Sequence, residues 1–312
     1  MFEPLCAALD AAGIACTRNE LLADHCTFRI GGPADIFIKP CDEIQLCRAV
    51  AFCKEQGVRY YLLGNGSNIL FEDAGFRGAV LDLTAMKTGI GMKENIPGEE
   101  SGVVYCNVTV GAGMKLSTLC NFALNHSCTG LEFAYGIPGT VGGAIYMNAG
   151  AYGGEMKDIL ESVTVLTPKG EQKKLYKEEL QLGYRTSVVK EKGYIVLEAV
   201  LNLTKGDPEA IKSRMDELKE QRVTKQPLEY PSAGSTFKRP EGYFAGKLIQ
   251  DAGLRGYQVG GAQVSEKHCG FVINKENATA TDVVNLIHDV QRIVYEKFQV
   301  QLDTEVKFLG EF

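Results

Sequence analysis

The segment GIPGTVGGAIYMNAGAYGGE, residues 136–155, holds seven glycines among twenty residues and interleaves them with bulky apolar side chains. Disordered linkers lack such apolar content, so we expect this segment to be folded. Glycine lets the backbone approach a ligand or another segment closely. The pattern therefore indicates a binding site in which backbone N–H groups meet phosphates and the polar edge of a heterocycle. The alternative is a set of turns packed on a core.

A second glycine-rich segment, LGNGSNIL at residues 63–70, follows an apolar strand. Gly64 and Gly66 would let backbone N–H groups converge, and Ser67 and Asn68 add side-chain donors, which suits a diphosphate. The alternative is a hairpin turn of the Asn-Gly type. Neither segment is a Rossmann fingerprint, and the chain contains no GxxxxGK[ST] motif, which argues against a P-loop NTPase.

Composition limits the class of protein. The chain has 312 residues, 45% of them hydrophobic and 23% charged, which suggests two or three globular domains. The net charge of −6 argues against partnership with nucleic acid or acidic membranes. No signal peptide or membrane span is recognisable, so we expect a cytoplasmic protein with reduced cysteines. The His/Cys pairs lack the spacing of zinc ligands, and no metal site is predicted.

Helical and strand patterns are mixed along the chain, which predicts an α+β fold. A break near residues 204–207 precedes a helix capped by Asp207 with Pro208 at its first position, and we place the start of a separate C-terminal domain there. The other helices are predicted at 42–57, 114–127, 243–252 and 281–298, and strands at 58–64, 79–83, 103–110, 161–167, 194–203, 270–274 and 303–310.

Six separated motifs together resemble one family. They are TFRIGGPAD (27–35), LGNGSNIL (63–70), GIPGTVGGAIYMNAGAYG (136–153), YRTS (184–187), PSAGSTFKRP (231–240) and TEVKFLG (304–310). Their order and spacing resemble the UDP-N-acetylenolpyruvoylglucosamine reductase family over nearly the whole chain. The resemblance implies two FAD-binding subdomains of the vanillyl-alcohol-oxidase type, at residues 1–84 and 85–205, and a substrate-binding α+β domain at 206–312. It also leaves room for the last strand to pack back on the FAD-binding part.

The resemblance also implies a reaction and its catalytic residues. NADPH would reduce non-covalently bound FAD, and the enolpyruvyl ether of UDP-N-acetylglucosamine would then be reduced to UDP-N-acetylmuramate, a peptidoglycan precursor. Ser235 matches the family's proton donor, Arg185 the arginine beside the substrate, and Glu305 the carboxylate near the protonation site. Because hydride addition leaves negative charge next to a carboxylate, a fixed cation would stabilise it. From the residues alone, solvent-facing charges are the favoured interpretation of Arg185 and Glu305.

Binding residues are implied in the same way. The expected FAD contacts are Gly64, Asn65, Gly66, Ser67, Asn68, Gly136, Ile137, Pro138, Gly142, Gly143, Ala144 and Arg29. Lys238 and Arg239, with Lys247 and Arg255, are candidates for the UDP diphosphate, while Tyr230 and Gln258 are weaker candidates for substrate contact. For the basic residues a solvated surface is an equal alternative.

Some questions stay open at this point. The chain has little room between YRTS and Asp207 for the insertion of the family's longer class, so it resembles the shorter class. No Rossmann site is recognisable for NADPH, and we expect the nicotinamide to share the substrate's pocket. Two rival functions remain: an FAD-dependent oxidase of the same fold acting on an alcohol or sugar, and a nucleotide-sugar binder that has lost its flavin. The sequence carries no signal of the oligomeric state.

Overall fold

The computed structural model describes residues 2–86, 89–95 and 103–312, in which helices and strands are mixed as the α+β prediction requires. The first part contains α1 (Glu3–Ala11), β1 (Ala15–Leu21), β2 (Pro33–Lys39), α2 (Glu43–Glu55), β3 (Tyr60–Leu63), β4 (Ile69–Phe71) and β5 (Phe76–Asp82), with 3₁₀ turns at Leu22–His25 and Leu83–Ala85.

The middle part contains most of the antiparallel strands. Its elements are β6 (Ile90–Asn95), β7 (Tyr105–Gly111), α3 (Leu116–Asn125), β8 (Cys128–Thr129), α4 (Val141–Tyr146), β9 (Gly150–Ala151), β10 (Gly154–Glu155), α5 (Met156–Ile159), β11 (Leu160–Leu166), β12 (Gln172–Tyr176), α6 (Val188–Glu191) and β13 (Ile195–Lys205), with 3₁₀ turns at Glu132–Ala134 and Lys177–Leu180.

The last part combines two long helices with short strands. Its elements are α7 (Pro208–Lys225), β14 (Ser232–Ser235), α8 (Ala245–Asp251), β15 (Gln258–Val259), β16 (Ala262–Val264), β17 (Phe271–Asn274), α9 (Ala280–Phe298) and β18 (Lys307–Leu309).

Three main sheets organise these elements. The first has the order β1-β2-β5-β3, in which β2 and β3 run parallel to β5 and β1 runs antiparallel to β2. The second is antiparallel, with the order β12-β11-β13-β7-β6 and β8 paired to β13. The third, β14-β17-β16-β15, is also antiparallel.

Local capping residues determine where the two best-predicted helices, α2 and α7, begin. The Asp42 carboxylate accepts a hydrogen bond from the backbone N–H of Gln45, and the Asp207 carboxylate accepts from Glu209 and Ala210, with Pro208 at the first position of α7. Both predicted helix starts are confirmed, because a side-chain acceptor and a proline without N–H satisfy the unpaired donors of a first turn. The buried face of α7 packs its Ile211 and Met215 side chains into the core of the middle part.

The ends of the chain meet in one hydrophobic core. Buried side chains of the first part, among them Phe71 and Val80, cluster with buried side chains of the last part such as Val290, Leu302 and Val306. The parallel pairing of β18 with β4 continues that contact in backbone hydrogen bonds. The first and last parts are therefore packed as one unit, although more than 200 residues separate β4 from β18. The domain boundaries at 84/85 and 205/206 stay predictions.

Two expectations about strands are wrong. The hairpin alternative for residues 63–70 fails, because β3 pairs with β5 whereas β4 pairs with β18. The strand predicted at 303–310 is confined to 307–309. Its first residues instead bind the segment after β14: the carbonyl oxygen of Asp303 accepts from the N–H of Lys238, and the N–H of Glu305 donates to the carbonyl of Thr236.

Candidate active site

A cleft of about 960 Å³ is lined by residues from all three parts of the chain, and its volume is at the upper end for small-molecule pockets. Both glycine-rich segments line it. The predicted site residues in its lining are Arg29, Gly64, Asn65, Gly66, Ser67, Asn68, Gly136, Ile137, Pro138, Gly142, Gly143, Ala144, Arg185, Tyr230, Ser235 and Glu305.

The two glycine-rich segments lie against each other. The Asn65 side chain donates from Nδ2 to the carbonyl oxygen of Pro138 at 2.9 Å. A Cβ atom at Gly64 would lie 2.6 Å from the Oγ1 of Thr140, which is buried and accepts from the N–H of Gly143 at the start of α4. Because Thr140 cannot turn away without losing that bond, only glycine fits at position 64. The segments therefore form one wall of the cleft.

The loop at 64–68 is held from its other side by the segment that carries Arg29. Gly66 has a φ of +60°, and a Cβ there would lie 2.3 Å from the carbonyl oxygen of His25. The N–H of Thr27 donates to the carbonyl oxygen of Gly66 at 3.1 Å. At the far end of the loop, Asn68 donates to the carbonyl oxygen of Glu305 at 3.3 Å. The loop thus contacts the backbone of Glu305, a predicted catalytic residue, through Asn68.

Arg185 lies in a tight turn, residues 183–186, whose first and last residues exchange backbone hydrogen bonds of 3.1 and 3.3 Å. Arg185 is the third residue of the turn and has a φ of +56°, a conformation that usually calls for glycine. The Asn148 side chain donates to the carbonyl oxygen of Gly183 at 3.0 Å, and the hydroxyl of Ser187 donates to that of Tyr146 at 2.8 Å. The turn is therefore fastened to the glycine-rich segment on both sides.

Glu305 and Arg185 form an ion pair inside the cleft. Nε of Arg185 lies 2.5 Å from Oε1 of Glu305, and their side chains are only 22% and 11% exposed. Burial raises the pKa of Glu305, while Arg185, Lys238 and Lys190 act in the opposite direction without cancelling the rise. The solvent-facing alternative for Glu305 is thus wrong, because the strand that would have turned it outward does not extend to it.

Ser235 ends β14, opposite Phe271 of β17, and its side chain is exposed to the cleft. The carbonyl oxygen of the next residue, Thr236, accepts from the backbone N–H of Glu305 at 2.8 Å, so the backbone of Ser235 lies one residue from the backbone contact of Glu305. Among the described residues that line the cleft there is no histidine. The lining therefore offers no Ser–His pair of the kind that activates a serine nucleophile.

Arg222 is a site residue that the motifs did not indicate. It lines the cleft from α7 at 7% exposure, and within the described part of the chain its Nε and one terminal nitrogen find no hydrogen-bond partner. Its guanidinium lies over the ring of Tyr152 at 5.3 Å, and burial lowers its pKa. Leaving nitrogens of a buried cation without hydrogen-bond partners is costly, so this guanidinium suits an anionic or strongly polar ligand.

The spacing of apolar residues in α7 is a sequence signal that could have identified Arg222. Ile211, Met215, Leu218 and Arg222 are the buried residues of α7 and follow one another at spacings of four, three and four. That is the stripe of a helix facing a core. An arginine on such a stripe points to a buried charge rather than to a solvated one.

Cys26 also lines the cleft, although it lies far from both glycine-rich segments in sequence. Its thiol is buried and donates to the carbonyl oxygen of Ile30 at 3.4 Å, and burial raises its pKa. A protonated thiol is a poor nucleophile. Cys26 is thus not prepared for covalent attachment to a cofactor.

Five predicted substrate residues do not line the cleft, among them Lys247, which pairs with Asp251 at 2.5 Å, and Arg255, which donates to Oε1 of Gln250 at 2.9 Å. Lys238 lies 3.8 Å from Asp303, and Arg239 stacks on Phe244 at 3.9 Å. Gln258 is exposed on β15 and donates to the carbonyl oxygen of Gly260 at 3.0 Å. Lys238 is still close enough to lower the pKa of Glu305, whereas the side-chain hydrogen bonds that the described residues give Gln258 stay within its own hairpin.

Comparison with known proteins gives two family matches. Residues 34–176 match the family described as "FAD binding domain", and residues 226–309 match "UDP-N-acetylenolpyruvoylglucosamine reductase, C-terminal domain". Together they confirm the predicted fold class, an FAD-binding part followed by an α+β C-terminal domain. In the described part of the chain, none of the helices is both long and apolar enough to cross a membrane.

Individual relatives match along nearly their whole length. The UDP-N-acetylenolpyruvoylglucosamine reductase of Lachnoclostridium phytofermentans is 53% identical over 295 residues, which cover 95% of this chain and 93% of the relative. That of Listeria welshimeri is 50% identical over 298 residues, 96% of each chain. The crystal structure of UDP-N-acetylenolpyruvylglucosamine reductase from Thermus caldophilus superimposes with a TM-score of 0.76 at 34% identity, covering 95% of this chain and 99% of that one.

Proposed function

The chain belongs to the UDP-N-acetylenolpyruvoylglucosamine reductase family of FAD-containing oxidoreductases, and from this premise we propose that its cleft reduces the enolpyruvyl ether of UDP-N-acetylglucosamine to UDP-N-acetylmuramate. One observation supports the location above all others: Ser235 and the partly buried Arg185–Glu305 pair line the same cleft as both glycine-rich segments. The product serves peptidoglycan precursor synthesis, which we place in the cytoplasm, and NADPH is the reductant.

The cleft has the groups that FAD needs. Residues 64–68 and 136–144 offer backbone N–H groups on one rigid wall, which suits a diphosphate and the polar edge of a ring system. The two Arg222 nitrogens that have no hydrogen-bond partner among the described residues fit a polar, electron-rich part of the same cofactor. Because the Cys26 thiol is held protonated, we propose that FAD is bound non-covalently.

When bound, FAD supplies the hydride transfer between NADPH and the substrate. The protein's own residues manage charge and proton. Because Glu305 engages Nε of Arg185, the terminal nitrogens of the guanidinium are left for the substrate's carboxylate, beside which negative charge develops. Ser235 donates a proton to the substrate carbon, since its hydroxyl is exposed in the cleft next to that pair.

The substrate enters the same cleft as the reductant in this proposal. Tyr230, which lines the cleft, accepts a hydrogen bond from Nζ of Lys275 at 2.5 Å, so a fixed aromatic ring with an adjacent cation is available to the nucleotide end. Lys238 and Arg239 lie beyond the lining and would reach only a diphosphate that extends out of the cleft. Gln258 has no part in the proposed site.

The test is an absorbance scan of the purified holoprotein. NADPH should bleach the flavin band, and the enolpyruvyl UDP-sugar should restore it far faster than air does. Restoration by air at the same rate as by the UDP-sugar would instead favour an oxidase. A protein that shows no flavin band, even after incubation with FAD, would be a nucleotide-sugar binder and would contradict the proposal.

A further inference from the structure

We propose that Lys190 is a positioning residue for the reaction: its ammonium group holds the carbonyl of Arg185 and thereby aims the Arg185 guanidinium at Glu305 and the substrate. The inference rests on the proposed function of this cleft. It assigns to Lys190 no contact with substrate or cofactor, only an effect exerted through Arg185.

The backbone of Arg185 needs an external support. Arg185 is the third residue of the turn at 183–186, where a φ of +56° favours glycine over a residue with a side chain. Nζ of Lys190 donates to the carbonyl oxygen of Arg185 at 2.9 Å. A change in the φ and ψ of Arg185 would swing both that carbonyl and the side chain, so a bond to the carbonyl fixes the direction of the guanidinium.

Lys190 is itself held in place. It belongs to α6, whose first residue follows Ser187, and the hydroxyl of Ser187 accepts from the backbone N–H of Lys190 at 3.3 Å. The same hydroxyl donates to the carbonyl oxygen of Tyr146 at 2.8 Å, and Ser187 is fully buried. The helix that carries Lys190 is therefore anchored on the wall that carries the glycine-rich segment.

The surroundings of Lys190 disfavour its positive charge on balance. Burial lowers its pKa, and Lys307 of β18 and Lys238 lower it further, while Glu191 of its own helix acts in the opposite direction. Lys190 also faces Glu305, whose pKa it lowers. The hydrogen bond to the carbonyl oxygen of Arg185 offsets the repulsion from Lys307 and Lys238 and keeps the ammonium group in place.

A double-mutant cycle tests the route through Arg185. Lys190→Met, Arg185→Ala and the double variant are compared as FAD-loaded proteins, with Lys192→Met as the matched control, because Lys192 is an exposed lysine at the end of the same helix. The measured quantities are flavin content, thermal stability, flavin reduction by NADPH, and single-turnover reoxidation by the enolpyruvyl UDP-sugar.

We expect Lys190→Met to slow reoxidation by about 10- to 100-fold, the range for residues that orient a functional group, with flavin content and reduction by NADPH unchanged. Lys192→Met should stay near the wild-type rate, and Lys190→Arg should recover most of the loss. In the Arg185→Ala background, Lys190→Met should add less than about twofold, because residues acting as one unit are not additive.

Three results would overturn the inference. An undiminished effect of Lys190→Met in the Arg185→Ala background would mean that Lys190 acts on substrate or Glu305 directly. Loss of flavin or of thermal stability in proportion to the rate would make its role structural, and a wild-type rate in Lys190→Met would give it none. A wild-type protein that the UDP-sugar does not reoxidise would refute the proposed function instead, which keeps the two failures apart.

Discussion

At the scale of single residues, Ser235 has the environment of a proton donor rather than of a nucleophile. Its side chain is exposed to the cleft, and the described lining offers no histidine to take its proton. A serine hydroxyl is a weak acid, but the carbon of an enolate is a much stronger base than water. A weak acid suffices there if it is well placed, and the strand pairing of Ser235 with Phe271 places it.

Ser235→Ala should therefore slow one half-reaction and leave the other unchanged. Reduction of the flavin by NADPH should stay near the wild-type rate, because that step needs no proton at the substrate carbon. Reoxidation by the enolpyruvyl UDP-sugar should slow by about 10²- to 10⁴-fold, the scale for loss of a general acid. Ser235→Cys should keep more activity than Ser235→Ala, since a thiol can also donate. Rapid-mixing absorbance separates the steps, and reoxidation of Ser235→Ala at the wild-type rate would remove Ser235 from the mechanism.

At the scale of elements, α7 has an outer face on which charges are paired in solvent and an inner face that carries a buried arginine. On its outer face Arg214 pairs with Glu217 at 2.6 Å in solvent, where such a pair contributes little to stability. On its inner face Arg222 brings a guanidinium with unpartnered nitrogens to the cleft wall. The helix thus carries one arginine that pairs with a neighbour in solvent and one with two nitrogens that lack a hydrogen-bond partner among the described residues.

Arg222→Met should consequently stabilise the apoprotein but weaken the binding of FAD. The apoprotein should unfold at a higher temperature than wild type, because an unpaired buried charge is removed and an apolar side chain of similar length takes its place. Affinity for FAD should fall by roughly tenfold or more, the scale for loss of a charge-assisted hydrogen bond. Thermal unfolding and FAD titration by flavin fluorescence measure the two quantities.

The control for this variant is Arg214→Met on the outer face of the same helix. It should change neither the apoprotein's unfolding temperature nor its FAD affinity by more than a small amount. An Arg222→Met apoprotein less stable than wild type, with unchanged FAD affinity, would show that Arg222 serves packing rather than the cofactor.

At the scale of the whole molecule, the elements that the sequence predicted well are those specified by neighbouring residues. The helices α2 and α7 carry an aspartate cap, and in α7 a proline at the first position adds to it, so local chemistry places their starts. The short strands β4 and β18 have three residues each and exist only because they pair with each other across the chain. No local pattern specifies such a pair, and the hairpin alternative and the overlong last strand both failed for that reason.

The site, too, has features that local sequence predicts and features that depend on distant contacts. The glycine-rich segments could be identified from composition, because close backbone approach needs glycine wherever it occurs. The burial of Glu305 could not, since it depends on residues 303–305 binding the segment after β14 instead of continuing a strand. Arg222 was overlooked because the charged composition of α7 hides the spacing of its buried stripe.

The shared core of the first and last parts leads to a prediction about how the molecule unfolds. Leu302 is fully buried in the core that also contains Phe71 and Val80, and Leu201 is equally buried in the separate core of the middle part. Leu302→Ala should cost about 2–5 kcal/mol of the free energy of unfolding, as for other buried leucines. The amides of β4 and β5 should lose protection from hydrogen exchange together with those of α9, because one core stabilises them all.

Leu201→Ala is the matched control, with the same side chain removed at the same burial. It should reduce the protection of β11 and β13 more than that of β4 and β5. Hydrogen exchange followed by mass spectrometry of peptides resolves these elements in both variants. If Leu302→Ala exposed only the amides of residues 231–309 and left β4 and β5 as protected as in wild type, the first and last parts would unfold independently. The pairing of β18 with β4 would then be a surface contact rather than the seam of a common core, and the position of Glu305, two residues before β18, would depend on the last part alone.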